Sequence, residues 1–544
     1  MEKLKTLQTQ YQDRLATEHL KNLLDNQKRS QDLLIETEHF LLDLTREKID
    51  SEILEVFQSL HESKILGKAA QMLSGERINS TENREVLHCL LRDNFKEPLS
   101  PVLHSHSEIY ECNQRVKQFT EDVRNGKINA FGSKFENVIS IGIGGSYLGV
   151  ECVYEALKMH PKYANQENNL KLFFLSNVDP ACYWQLMSSL DLKKTLILVI
   201  SKSFTTAETL QNFLLCVEGY KQAYKNEKDR PLDQVIKSHF CAISANVAKC
   251  KESGIAEDRI FPMWDWVGGR FSVSSAVGGI PLSLALSFEV FEEFLYGMHW
   301  VDKIFFKETD IRKNIPALLA LLDYYHNHVE KYTTKAIIPY SHGLQRLPAH
   351  IQQVEMESNG KRYNLASKTN SKEDVGKFVF GEPGTNSQHS FFQLLHQGRV
   401  SPVEFIGFCN PQVPRVVVND QDCFNEFMAN IFAQADALAL GRETTDLPKF
   451  FEGNRPSFVL LFKEELNAFN TGLILSLYEH RIAAEGFLED INSFDQFGVE
   501  LGKKLASEYR ALLATDNNRS VSQSDNPAKH LIAFYNKSAR FDTH

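Results

Sequence analysis

Hydrophobic and polar positions along this chain follow two regimes, and the change between them falls near residue 105. Before it, apolar residues recur at helical spacing, with Leu33-Leu34 and Leu41-Leu42 set among charges, so residues 1–105 are expected to form a supporting helical layer. After it, short apolar runs alternate with helix-length segments. Val138-Ile139-Ser140-Ile141-Gly142 leads into a helix through Val153 and Leu157, and the runs 170–175, 195–200 and 239–244 are each rich in β-favouring residues. Continuous apolar strands separated by helices predict a parallel sheet covered on both faces, here an α/β domain over 106–300. A second set, 336–339, 403–408 and 458–462, with helices such as 315–327, predicts a second such domain over 301–490. The remainder, 491–544, is polar, helical around 499–512 and dominated by turn formers over 516–526, which predicts a C-terminal helical arm. The expected fold class is thus α/β, two tandem doubly wound parallel-sheet domains with a helical layer before and an arm after.

Composition narrows the function classes. With 544 residues, 42% hydrophobic and 24% charged, the chain is an ordinary globular sequence long enough for more than one core. A formal net charge of −10 argues against a nucleic-acid partner, whose backbone needs a clustered basic surface. Nine cysteines are scattered without a C-x-x-C pair, which points to reduced thiols and to no zinc clamp. The polar N-terminus has no signal-peptide core, and the longest uncharged run, 271–288, holds five serines and a Gly-Gly pair. No membrane partner is expected, and the compartment is expected to be the cytoplasm.

Two loops carry the candidate binding chemistry. Ile141-Gly142-Ile143-Gly144-Gly145-Ser146-Tyr147-Leu148-Gly149 joins a strand to a helix, so its backbone N–H groups can approach an anion while Ser146 adds a hydroxyl. Tyr147 stands where a dinucleotide fingerprint needs its third glycine, and no Gly-Lys-Ser/Thr follows for a nucleotide P-loop. An ordinary tight turn is the alternative. The second loop, Ser201-Lys202-Ser203-Phe204-Thr205-Thr206-Ala207-Glu208-Thr209, packs five hydroxyls and an ammonium into nine residues at a strand's carboxyl end. Helix capping alone would use one or two of them. Together the loops favour a small phosphate.

Candidate chemistry lies further along. Gln352-Gln353-Val354-Glu355-Met356-Glu357 sets two carboxylates before a Ser-Asn-Gly turn signal, and a desolvated glutamate suits proton abstraction beside a carbonyl. A solvated surface charge is the alternative. His389 follows a polar turn and precedes Phe391-Phe392, where an imidazole can protonate a sugar ring oxygen or simply cap a helix. Arg270, after Gly268-Gly269, can face a developing enolate charge or form a structural ion pair. Gln496 and Lys503 stand seven residues apart, on one face if 491–504 is helical, which favours Lys503 over Lys504 as the inward lysine.

Taken in order, Gly-Glu-Arg-Ile-Asn-Ser-Thr-Glu-Asn-Arg at 75–84, Gly144-Gly145-Ser146, and the segments 201–206, 267–270, 356–361, 384–389 and 491–503 resemble the signature blocks of the phosphoglucose isomerase family. The resemblance implies two sugar-isomerase domains and an arm embracing a partner in a homodimer with a shared site. It implies phosphate held by Ser146, Ser201, Ser203, Thr205 and Thr206 with the backbone near Gly145 and Lys202, and sugar seated by Gln353 and Gln496. It assigns ring opening to His389 and Lys503, proton transfer between C2 and C1 to Glu357, and charge stabilisation to Arg270, with no metal and no organic cofactor. Phe271 departs from the family's tyrosine, which puts substrate affinity in question, as do Ser203 and Phe497 from its threonine and tryptophan in smaller ways. Glu355, were it to face the cleft, would raise the base's pKa by like-charge repulsion. Two other readings stay open: an isomerase acting on both glucose and mannose phosphates, and a sugar-phosphate sensor without turnover.

Overall fold

The computed structural model describes residues 2–93, 98–102, 104–164, 166–371, 373–513 and 527–538. The chain divides into a unit of residues 1–494 and a smaller one of 495–544. In the larger unit the first strands are β1 (Leu34–Glu36) and β2 (Phe40–Asp43), an antiparallel pair where helical spacing predicts helix. The reason lies in the turn between them. The Thr37 hydroxyl accepts from the His39 and Phe40 amides at 3.2 and 3.0 Å, reversing the chain, after which Phe40 and Leu42 alternate inward with the period of a strand. Helices such as Ser51–Leu60, capped by the Asp50 carboxylate, make up much of the remaining N-terminal segment.

Five strands, β3 (Asn137–Ile141), β4 (Lys171–Leu175), β5 (Thr195–Ile200), β6 (Phe240–Ser244) and β7 (Ile260–Pro262), form one sheet in the order β4-β3-β5-β6-β7. Every pairing is parallel. β3, β5 and β6 are buried at every position, which is why they read as unbroken apolar runs. Beyond them come β8 (Thr334–Pro339), the small ladder of β9 (Tyr363–Asn364) and β10 (Thr369–Asn370), β11 (Phe378–Phe380), β12 (Val403–Phe408), the ladder of β13 (Val417–Val418) and β14 (Gln421–Asp422), and β15 (Ser457–Phe462). The second sheet runs β1-β2-β15-β12-β8-β11, with β15, β12, β8 and β11 parallel and the N-terminal pair added antiparallel at its edge.

Between the sheets runs the helix Ala468–Leu488, buried at all but one of its positions. It crosses Phe288–Lys307 through a glycine pair: a methyl on Gly297 would lie 1.9 Å from the Phe469 carbonyl oxygen, and one on Gly472 would lie 1.9 Å from that of Phe294. Only a residue without Cβ lets the backbones approach this closely. The buried helix also carries charge. Arg481 bonds Asp323 at 2.6 Å and Glu404 at 2.6 and 2.9 Å, while Glu479 and His480 join Arg92 and Asp302 in a second buried cluster.

In the smaller unit, helix Glu500–Leu513 follows a short 3-10 turn, Phe497–Val499, and buries no residue. Helix Lys529–Ser538 buries Ile532. The expected turn segment 516–526 lies outside the described residues. No helix among the described residues is long and apolar enough to cross a membrane.

Candidate active site at the carboxyl edge of the first sheet

Strands β3 and β5 are neighbours and parallel, yet their following connections leave in opposite directions, to β4 on one side and β6 on the other. Such a switch opens a crevice at the strands' carboxyl ends, the usual ligand position in an open α/β sheet. The two hydroxyl-bearing loops emerge there side by side.

The loop after β3 turns through Gly144 at φ +58° and a single 3-10 turn, Gly144–Ser146. Gly145 is pressed against a second loop: a methyl there would lie 2.1 Å from the carbonyl carbon of Gly269. The Ser272 hydroxyl bonds the carbonyls of Gly145 and Gly269 at 3.3 and 2.7 Å and ties the two segments together. A methyl on Gly144 would lie 3.0 Å from Gln353 Nε2, so the amide of Gln353 sits directly over this turn.

The loop after β5 begins at buried Ser201, whose hydroxyl bonds Thr206 Oγ1 at 3.3 Å. Ser203 and Thr205 pair at 2.6 Å on the exposed side. Thr206 is the N-cap residue of helix Ala207–Ala223 but makes no side-chain cap bond, which leaves its hydroxyl for another acceptor at the positive end of that helix. Lys202 turns away: its ammonium donates to the carbonyls of Asp265 and Val267 at 2.7 and 2.9 Å. Burial first, then the charge of Arg84, brings its pKa down to about 8. The lysine therefore fastens the 265–271 loop beside the hydroxyls and contributes its backbone to the crevice.

That loop delivers Arg270, 2% exposed. Its Nε donates to Ser358 Oγ at 2.6 Å, Nη2 to the Ser493 carbonyl, and Nη1 lies 3.4 Å from Glu357 Oε2. Glu357 stands near the end of helix Leu347–Asn359, where Gln353, one turn earlier, donates to the same Oε2 at 3.0 Å. Gln353 Oε1 is buried without a partner. Glu355 does not share this face. The helix continues to Asn359, so a two-residue step turns Glu355 into the core, 0% exposed, where Lys335 donates to it at 3.1 Å. The like-charge effect considered for it on Glu357 therefore has no geometric basis.

Ser146, Ser201, Ser203, Thr205, Thr206, Gln353, Arg270 and Glu357 thus belong to one neighbourhood. No hydrogen bond or ion pair ties His389 to these residues among the described ones: it ends the short helix Asn386–His389 and is exposed. Gln496 and Lys503 lie in the smaller unit. Gln496 precedes the 3-10 turn with φ −151°, and Lys503 and Lys504 both lie exposed on helix Glu500–Leu513. The one continuous helix that would favour Lys503 over Lys504 is therefore broken at 497–499. Phe271 is 1% exposed and stacked on His88 at 4.7 Å, a core position rather than a cleft wall.

Sequence reasoning missed the residues that hold this site together. Ser358 and Ser493 fix the guanidinium, and Asn492 donates to Asn79 Oδ1 at 2.8 Å and to Thr81, joining two of the sequence blocks. Their only advance signal was membership in polar segments flanking the candidate residues.

The phosphoglucose isomerase family model matches residues 43–532. Glucose-6-phosphate isomerase of Plasmodium falciparum is 40% identical over 94% of this chain and 91% of its own length. The cytosolic B form from Oryza sativa subsp. japonica is 42% identical over 91% of this chain and 88% of its own. The crystal structure of a glucose-6-phosphate isomerase from Chlamydia trachomatis superposes with a TM-score of 0.86 at 32% identity, covering 99% of both chains.

Proposed function

The chain belongs to the phosphoglucose isomerase family, and on that premise we propose that it interconverts glucose 6-phosphate and fructose 6-phosphate by proton transfer at the crevice between β3 and β5. The phosphate is held by the hydroxyls of Ser146, Ser201, Ser203, Thr205 and Thr206 and by main-chain N–H groups at Gly145 and Lys202. Gln353 seats the sugar. Glu357 takes the C2 proton of the open-chain aldose, and the electrons move to the C1 carbonyl oxygen, whose negative charge develops beside Arg270. After a proton passes from O2 to O1 in the cis-enediol, Glu357 returns its proton to C1 and the ketose forms.

The observation that carries this reading is the contact of Arg270 with Glu357 at 3.4 Å, beside two loops rich in hydroxyls. A sensor without turnover would have no use for a half-buried carboxylate and a buried guanidinium aimed at one point.

Ring opening falls to His389 and Lys503 with Gln496 assisting, and His389 acts in the site of a second copy of the chain. What supports a homodimer is the exposure of His389 together with the apolar side chains of the C-terminal helices, where Leu501 is 67% and Phe534 72% exposed. The two α/β domains span 106–300 and 301–490, with 491–544 as the arm that reaches the partner. A cytoplasmic location follows the plant relatives named cytosolic, the Oryza sativa B form among them. The test is to incubate the purified protein with fructose 6-phosphate in tritiated water; the reading requires glucose 6-phosphate to form, with any solvent tritium confined to C1 of the ketose and C2 of the aldose, and failure to form glucose 6-phosphate, or label at another carbon, would overturn it.

A further inference from the structure

Buried carboxylates of the core are neutralised in different ways, Asp302 and Glu479 by Arg92. Asp323, Glu355 and Glu404 are met by Lys335, Lys377 and Arg481, with contacts of 2.6 to 3.1 Å to each acid. A further cluster has no Lys or Arg in ion-pair contact among the described residues. Glu47, just beyond β2, faces His326 and Glu330 at the carboxyl end of helix Ile315–His328, and one ligand atom of each lies within 4.8 Å of the others. His326 Nε2 is 2.8 Å from Glu47 Oε2 and 3.6 Å from Glu330 Oε2, and the three side chains are at most 4% exposed.

Among the described residues the imidazole is the only basic group within ion-pair distance of either acid. Lys48, next in sequence, directs its ammonium to the carbonyls of Leu15 and Ala16 at 3.4 Å. Three of the four carboxylate oxygens, Glu47 Oε1 and both of Glu330, are buried without a hydrogen-bond partner. Buried acceptors are seldom left so, because each loses its hydration without compensation.

We propose that Glu47, His326 and Glu330 form a structural site for one divalent first-row metal ion. Two carboxylates cancel the ion's charge in a buried pocket, and the orphaned oxygens find a partner. The imidazole among the donors suits zinc, and the two carboxylates also admit manganese. The ligands come from the N-terminal segment and from the end of helix Ile315–His328 with the turn after it, so the ion would fasten one to the other. None of the three makes a hydrogen bond or ion pair to the sugar site. The expectation of no metal concerns the sugar chemistry and the spacing of ligands along the chain, and spacing does not reveal a ligand 279 residues from its partner.

The test uses the full-length protein produced in medium supplemented with Zn2+ or Mn2+, purified through a chelator and assayed by elemental analysis. The expected result is about one equivalent of metal per chain, falling below about a tenth in Glu330→Gln and His326→Gln. Protein produced in metal-depleted medium should melt at lower temperature than loaded wild type, and this difference should vanish in both variants. Sugar isomerase turnover serves as the fold control for each variant. Wild type without stoichiometric zinc or manganese overturns the proposal, and so does a Glu330→Gln protein that keeps the full equivalent. The wild-type content decides the matter even where a variant fails to fold.

Discussion

Arg270 reaches Glu357 across the crevice with Nη1 3.4 Å from Oε2, one partner 1% and the other 23% exposed. A buried cation beside a half-exposed acid is well placed to favour a negative charge that forms next to both. Arg270→Ala should lower kcat by about 100- to 1000-fold, the range for loss of a transition-state donor. KM should change far less, because the phosphate hydroxyls remain. Steady-state kinetics with circular dichroism as a fold control checks this; a change confined to KM would move Arg270 from charge stabilisation to substrate binding.

Glu357→Gln keeps the shape and the Gln353 contact but removes the proton acceptor. Turnover should be abolished, with solvent tritium no longer entering C1 of fructose 6-phosphate, while a non-reacting sugar phosphate still binds in calorimetry. Activity near wild type would remove Glu357 from the mechanism.

The paired alanines Ser201→Ala and Thr206→Ala should act mainly on KM. The two hydroxyls sit 3.3 Å apart, and loss of two hydrogen bonds at about 0.5–1.5 kcal/mol each predicts a rise of about 5- to 150-fold. An unchanged KM would discredit the phosphate position.

Glu355 supplies a contrast with Glu357. Because Lys335 holds it in the core, Glu355→Gln should lower the melting temperature and leave the pH profile of kcat where it is. A shifted acid limb in that profile would mean that Glu355 does act on the base.

The sequence resolved what periodicity and chemistry share. β5 was legible because burial on both faces gives Thr195–Ile200 one uninterrupted apolar run, and its loop because five hydroxyls exceed any capping need. β1 and β2 were not, since apolar pairs eight residues apart fit a helix as well as a hairpin, and only the Thr37 turn and the edge of β15 decide between them. Glu355 and Glu357 were indistinguishable while the end of their helix was unknown; its continuation to Asn359 separates core from cleft. Ser358 and Ser493 signalled only that they belong to polar segments beside the candidates, because their role is to orient a residue brought near by the fold.

The core helix Ala468–Leu488 leads to a prediction about stability and pH. Asp302 receives Arg92 at 2.9 Å through Nε and again through Nη2, and His480 at 2.5 Å, all but fully buried. Burial alone would raise the carboxyl's pKa, but the Arg92 guanidinium and the His480 hydrogen bond outweigh it and hold it well below the usual range. A folded-state pKa below the unfolded one means that the unfolded chain binds the proton more readily. The stabilisation is therefore complete above about pH 4, the unfolded carboxyl value, and is lost as pH falls through the folded one. Asp302→Asn leaves Arg92 with Glu479 as its sole anionic partner and should destabilise the fold by about 3–5 kcal/mol at neutral pH. Denaturant melts of both proteins from pH 7 downward should show the gap narrowing below about pH 4. A gap that stays constant across that range would show that the aspartate acts through packing rather than through its charge.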